Sequence, residues 1–213
     1  VGKKWTSEQK HKIEQSRWAT TERLVELIQA SDEPPELLIS GSAIGFYGPQ
    51  DDQLIDESFD TPNDDFGHQL CERWEQLARK AESTRTRVCI IRTGVVLTKR
   101  GGALEKMLTP FRLGLGGPIG NGKQYFSWIH LEDMLQGLVH LIVNPDCKGI
   151  YNFTAPNPVT NGEFSHALAK ALKRPCFFKV PEALLRLTMG ESADLLLYGQ
   201  RVLPKRLVDS GCT

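Results

Sequence analysis

Ser40 and Ser42 close a short apolar run, Leu37-Leu38-Ile39. Such a run suits a strand buried on both faces of a parallel sheet, and its carboxyl edge is where ligands of open α/β sheets sit. A Ser42 hydroxyl there can hydrogen-bond a substrate carbonyl; the alternative is a serine that satisfies a turn amide. Tyr47, just beyond, is a candidate proton donor or a half-buried ring packed in its loop. Arg92 closes a second apolar run, Arg87 to Arg92, where a charge is costly unless paired. That implies either a role beside a site or a buried ion pair. His130 and Asp133 suit a catalytic or orienting pair; alternatively Asp133 caps the next helix and His130 packs beside Trp128. Cys71 with His68 one helical turn earlier would make a nucleophile and base, or Cys71 is a small buried residue.

A second group of candidates lies later. Between Arg112 and Gln124 stand Gly114, Gly116, Gly117, Gly120 and Gly122. Glycine density of this kind permits close backbone approach to a ligand, or an unusual crossover. Arg112, Lys123 and Gln124 are placed to grip polar groups. Gln200, Arg201, Lys205 and Arg206 read as cleft-lining residues from the far end of the chain, or as cations offsetting a helix dipole. Arg17, in mid-helix, reads as a solvated cation unless a ligand lies beside its helix. The five histidines show no metal-ligand spacing, and the five cysteines form no CxxC pair, so no metal site is expected.

The elements that must position these residues alternate. A helix is expected over the first 30 residues, with a capping box at Thr6 and Gln9 and an end before Pro34-Pro35. Then come a strand at 37–40, a loop from Gly41 to Asn63, a helix over 65–82 and a strand over 87–92. A helix near 103–111, a helix over about 132–143, a strand at Tyr151-Asn152-Phe153 and a Thr160–Glu163 capped helix over 161–172 follow. After Pro175 a short strand and two leucine-rich helices are expected. Alternation of this kind means α/β with parallel strands. The expected domains are 1–155, and a smaller lobe over 156–213.

Composition excludes some classes. The 213 residues carry 26 basic and 26 acidic side chains, which argues against a nucleic-acid or anionic-membrane surface. No run of about 18 apolar residues predicts a membrane span. Val1 to Trp5 has no apolar segment behind it and does not read as a signal peptide. The cysteine pattern fits a reduced, cytoplasmic compartment.

Four segments together resemble the extended, epimerase-like short-chain dehydrogenase/reductases: Leu38 to Gly48, Ile91 to Leu97, Trp128 to Asp133 and Tyr151-Asn152. Phe111 to Gly120 and Gly199 to Arg206 resemble the atypical subfamily of epimerase-like proteins. The resemblance implies a Rossmann-type doubly wound sheet that holds NADP or NAD, a C-terminal lobe over a small-molecule substrate, and a homodimer through the helices at 6–30 and 65–82. It places Arg17, Ser40, Gly41, Arg92, Val95 and Val96 along the cofactor, largely through backbone in the last two. The glycine-rich loop and the 200–206 segment read above supply Arg112, Gly117, Gln124 and Arg201 as the substrate-side candidates.

The chain departs from the family pattern twice. No glycine-rich turn follows an early strand, so the resemblance implies a longer natural protein whose phosphate-gripping strands precede Val1 and whose final helix follows Thr213. Second, aligning on Glu75 puts Gly67 and Cys71 where related enzymes carry a Tyr-x-x-x-Lys pair. The expected function is therefore a nicotinamide-dependent oxidoreductase or epimerase-like enzyme, with hydride moving to or from a carbon near Ser42 and a water, Tyr47 or His130 in place of the missing phenol. A non-catalytic NADP(H)-binding or sensing module is the alternative, and a sugar-nucleotide binder a third reading.

Overall fold

The computed structural model describes residues 4–99 and 101–212. Val1–Lys3, part of the segment read above as no signal peptide, and Thr213 lie outside the described residues, as does Arg100.

In chain order the elements are α1 (Ser7–Gln29), β1 (Leu37–Ala43), β2 (Gln50–Ile55), α2 (Phe66–Arg79), β3 (Arg87–Thr93), β4 (Val95–Thr98) and α3 (Gly102–Arg112). Then follow β5 (Tyr125–Phe126), β6 (Trp128–His130), α4 (Leu131–Val143), β7 (Gly149–Phe153), β8 (Val159–Thr160) and α5 (Asn161–Ala171). The chain closes with α6 (Glu182–Met189), α7 (Asp194–Leu197), β9 (Gln200–Val202) and α8 (Lys205–Asp209).

β1, β3 and β7 form one parallel sheet in the order β1-β3-β7. Side chains alternate across a strand, so each face collects every second residue. Leu38, Val88 and Ile90 pack on one face against Val25 and Ile28 of α1 and Ala81 after α2. Cys89, Ile91, Tyr151 and Phe153 pack on the other with Leu141 of α4 and Leu207 of α8. A parallel sheet covered on both faces is the Rossmann-type arrangement expected from the alternation of elements.

Local chemistry sets the helix starts. Thr6 Oγ1 accepts the Gln9 amide at 3.2 Å to cap α1, and Asp65 Oδ1 accepts the His68 amide at 2.8 Å to cap α2. In α5 the capping box is complete: Thr160 Oγ1 accepts from the Glu163 amide, and Glu163 Oε2 accepts from the Thr160 amide at 2.7 Å. Those hydrogen bonds hold the Glu163 carboxyl below its ordinary pKa. A depressed carboxyl stabilises α5 above the ordinary glutamate range, and that contribution is lost as pH falls through the lowered pKa. Thr160→Ala is expected to cost about 1 kcal/mol. Protection of the first-turn amides of α5, taken relative to the intrinsic exchange rate at each pH, should fall in the variant, and in the wild type on acidification.

The structure corrects several expectations. Gly41 to Asn63 is not loop throughout. β1 runs on to Ala43, a 3₁₀ turn spans Ile44–Tyr47, and β2 pairs in parallel with β9. Tyr47, Ile55 and Val202 are fully buried together beneath that pair. Their apolar residues are scattered among glycine, proline and aspartate, and the partner strand is remote in sequence, so no local periodicity reports them. Likewise β4 pairs with β6, and β5 with β8. Asp133 does not cap α4: His130 Nδ1 accepts the Glu132 amide at 3.3 Å, and Asp133 sits inside the first turn. Pairings also cross the expected boundary at residue 156, which itself stays an expectation: β9 pairs with β2, β8 with β5, and α8 packs on β7.

Candidate functional site

The register of the sheet builds the site. β1 and β3 align Ser42 beside Arg92, and β3 and β7 align Arg92 beside Asn152. Three polar residues thus share one row near the carboxyl edge of three parallel strands. α2 delivers a fourth, because Cys71, Glu75 and Ala78 lie on its buried face.

Glu75 is the centre of this row. Arg92 Nε and Nη2 donate to Glu75 Oε1 and Oε2, each at 2.8 Å, in a bidentate pair. Ser42 Oγ donates to Glu75 Oε1 at 2.7 Å. Side chains of Arg92 and Glu75 are each only 3% exposed. Phe46 lies over the guanidinium, with its ring centroid 3.4 Å from Arg92 Cζ, and the Tyr47 ring lies at 4.9 Å. Burial alone pulls the Arg92 pKa down, but the Glu75 hydrogen bonds and charge outweigh it and hold it above the usual arginine value. Arg92 thus forms a buried ion pair.

Ser42, as a donor, is committed inward to a carboxylate and is 6% exposed. Tyr47 is fully buried, not half-buried, and its hydroxyl donates to Asn152 Oδ1 at 2.8 Å. Burial pushes its pKa above the usual phenol value, with nearby Arg92 opposing. A phenol raised this way and already hydrogen-bonded is poorly placed to exchange a proton with an outside molecule. Cys71 lies beside Ser42, and burial pushes its thiol up to about 11. The His68 ring does not turn toward it: Nδ1 faces the Phe46 carbonyl at 2.6 Å, and Nε2 lies 3.9 Å from Glu72. A protonated, buried thiol is not a nucleophile at neutral pH.

The other candidates are scattered. Ser40 Oγ is 3.4 Å from the Gly41 carbonyl, and Gly41 itself is where the Trp74 ring approaches, 3.2 Å from an added Cβ. Arg17 donates to the Ile13 carbonyl and Ser16 Oγ, with its guanidinium 5.7 Å from the Trp74 ring. Val95 and Val96 are half-buried in β4, where the Val95 amide donates to the Ser127 carbonyl. His130 is exposed at the end of β6 and caps α4.

Of the residues expected to face a substrate, Gln124 Nε2 donates to the Ile119 and Leu196 carbonyls, so its amide braces the crossover. Gly117 is buried where an added Cβ would fall 1.7 Å from the Phe178 carbonyl oxygen. Arg112 is exposed at the end of α3. Arg201 is half-buried on β9, its guanidinium 5.1 Å from the Tyr125 ring.

Glu75, Phe46 and Asn152 were not singled out as functional from the sequence. A carboxylate at the i+4 position between Cys71 and Ala78, on an otherwise apolar helix stripe, was the available signal.

The sequence profile of the NAD dependent epimerase/dehydratase family matches residues 1–153, and a domain of unknown function matches 180–213. The crystal structure of human epimerase family protein SDR39U1 with NADPH superposes with a TM-score of 0.95 at 36% identity, over 99% of this chain and 72% of that one. The chain belongs to the NAD-dependent epimerase/dehydratase family. Its relatives include the Arabidopsis thaliana SDR39U1 homolog, described as chloroplastic, at 40% identity over 99% of this chain, and mouse SDR39U1 at 40% over 98%. The chain spans 61% of the Arabidopsis relative's length and 71% of the mouse one. Among the described residues of this family member, no helix is long and apolar enough to cross a membrane.

Proposed function

We propose that this protein is an NADP(H)-dependent oxidoreductase of the epimerase type, acting on a small molecule at the carboxyl edge of β1 and β3. The observation that supports it most is the likeness to human SDR39U1, which was crystallised with NADPH. The fit of this chain to a dinucleotide is partial. Its sequence holds no glycine-rich strand-to-helix turn for a pyrophosphate. The carboxyl edge near Ser42 and Thr93 is where the reactive end of such a ligand lies in open α/β sheets.

Bound NADP(H) would supply or accept a hydride. The chain's own contribution is a rigid wall: Glu75 fixes Arg92 and Ser42, and Arg92 fixes the Phe46 and Tyr47 rings. With the Ser42 proton directed to Glu75, Ser42 Oγ retains lone pairs that can accept from a substrate hydroxyl. On reduction the proton would come from water, and on oxidation it would be released to water.

A second reading, NADP(H) binding without turnover, is favoured by Gly67 and Cys71 standing in place of the Tyr-x-x-x-Lys pair and by the committed hydroxyls of Ser42 and Tyr47. Fluorescence titration with NADPH beside NADH tests the shared premise. Saturable binding, tighter for NADPH, is expected; absence of binding to both overturns the proposal. NADPH consumption across a panel of aldehydes and ketones separates the two readings, because the sensing module would bind and consume nothing.

A further inference from the structure

The balanced total of 26 basic and 26 acidic side chains averages over an uneven distribution. Residues 106–131 contain no aspartate or glutamate, and neither do residues 164–181. The two runs together hold seven lysines and arginines, so the rest of the sequence is net acidic. None of the seven joins an ion pair among the described residues. The carboxylates that border the second run are committed elsewhere: Glu163 closes the α5 capping box, and Glu182 holds Arg186 at 2.8 Å.

The tertiary structure brings the two runs side by side. The Val180 amide donates to the Pro118 carbonyl, and the Gly120 amide to the Val180 carbonyl, each at 2.9 Å. Gly114 lies against Pro175, where an added Cβ would be 3.6 Å from the Pro175 ring. Along this seam Leu113, Leu115, Phe177 and Phe178 are all exposed, Phe177 by 86% and Leu113 by 70%. Arg112, Lys173, Arg174 and Lys179 stand among them, exposed as well. Lys173 takes left-handed backbone at φ 54°, and the chain then leaves α5 as a loop that carries both phenylalanines outside any helix or strand. Single exposed apolar side chains are ordinary; four large ones on two adjoining segments, interspersed with unpaired cations, mark an interaction surface.

We infer that this seam docks on the headgroup region of an acidic phospholipid bilayer. Phenylalanine and leucine side chains enter the boundary between headgroups and acyl chains, and lysine and arginine stay at the lipid phosphates. The partner must be negative, because these cations face no carboxylate from their own runs. A bilayer fits better than an acidic protein, because a fluid surface accepts separately projecting rings without a shaped pocket for each. Docking of this kind needs no membrane-spanning helix. It does not rest on the nicotinamide reading, and none of these residues belongs to the Ser42–Glu75–Arg92 row.

The test floats the full chain with vesicles of phosphatidylcholine alone, and of phosphatidylcholine with about one-third phosphatidylserine. Binding to the acidic vesicles only is expected, and it should fall as potassium chloride rises, since exposed charges are screened. Phe177→Ser should weaken it about tenfold, and Arg174→Gln with Lys179→Gln about tenfold or more. All three side chains are exposed, and an unchanged urea midpoint checks that the variants fold; if Phe177→Ser does not, Leu113→Ser decides in its place. Val143→Ser, at an exposed apolar position on α4 outside both runs, should bind as the wild type does. No binding to acidic vesicles, equal binding to both kinds, or a loss in Val143→Ser equal to that in Phe177→Ser overturns the inference. So does binding that either seam variant leaves unchanged; if polyglutamate then competes for the protein, the partner is an acidic polypeptide.

Discussion

Glu75→Ala is expected to lower the unfolding free energy by about 3–5 kcal/mol, the range for removing one partner of a buried ion pair. The alanine would leave the Arg92 guanidinium buried without its two charged acceptors and Ser42 without its hydrogen bond. Phe46 and Tyr47, which lie over that guanidinium, would lose a fixed surface. The double variant Glu75→Met, Arg92→Leu should lose much less, because an apolar pair of similar volume removes the uncompensated charge along with the pair. Urea unfolding with unchanged slope measures both. A single-variant loss below about 1 kcal/mol would show that the pair is not what holds the row together. Since domains of this kind are stable by roughly 5–15 kcal/mol, the predicted loss is a large part of the whole.

Gly117→Ala is expected to cost as much as or more than the roughly 1–3 kcal/mol typical of overpacking. Its added Cβ would fall 1.7 Å from the Phe178 carbonyl oxygen and 2.8 Å from the Phe178 carbonyl carbon, and backbone cannot swing aside as a flexible side-chain end can. The two segments are tied on the far side of that contact: the Val180 amide donates to the Pro118 carbonyl and the Gly120 amide to the Val180 carbonyl, each at 2.9 Å. Separating them would loosen the crossover that Gln124 braces. Gly45→Ala is the control, since an added Cβ there meets nothing within 4 Å, and it should stay within about 0.5 kcal/mol of wild type. Equal urea midpoints for the two variants would refute the close-approach explanation of Gly117.

These two residues also show how differently parts of the site could be read. Gly117 was visible as one of a glycine cluster, read as permitting close backbone approach to a ligand or an unusual crossover. Which group approaches is not written locally; here the neighbour is the Phe178 backbone, distant in sequence. Glu75 was visible only as a charge within an apolar stripe. Its partner could not be named, because Arg92 reaches it through strand register and not through helix spacing.

By itself the sequence determined the alternation of strands and helices, the two-faced apolar runs at Leu37–Ile39 and Val88–Ile91, the caps at Thr6 and Thr160 and the absence of a Tyr-x-x-x-Lys pair. Those follow from local period, capping chemistry and residue identity, which need no knowledge of distant neighbours. Only the tertiary structure decided that Arg92 answers to Glu75, that Tyr47 is bound to Asn152, that β2 finds β9, and that the two carboxylate-free runs meet along one seam. Each of these depends on which remote backbone segments lie side by side. That is set by burying apolar area over the whole chain, a non-directional force that leaves no short-range mark.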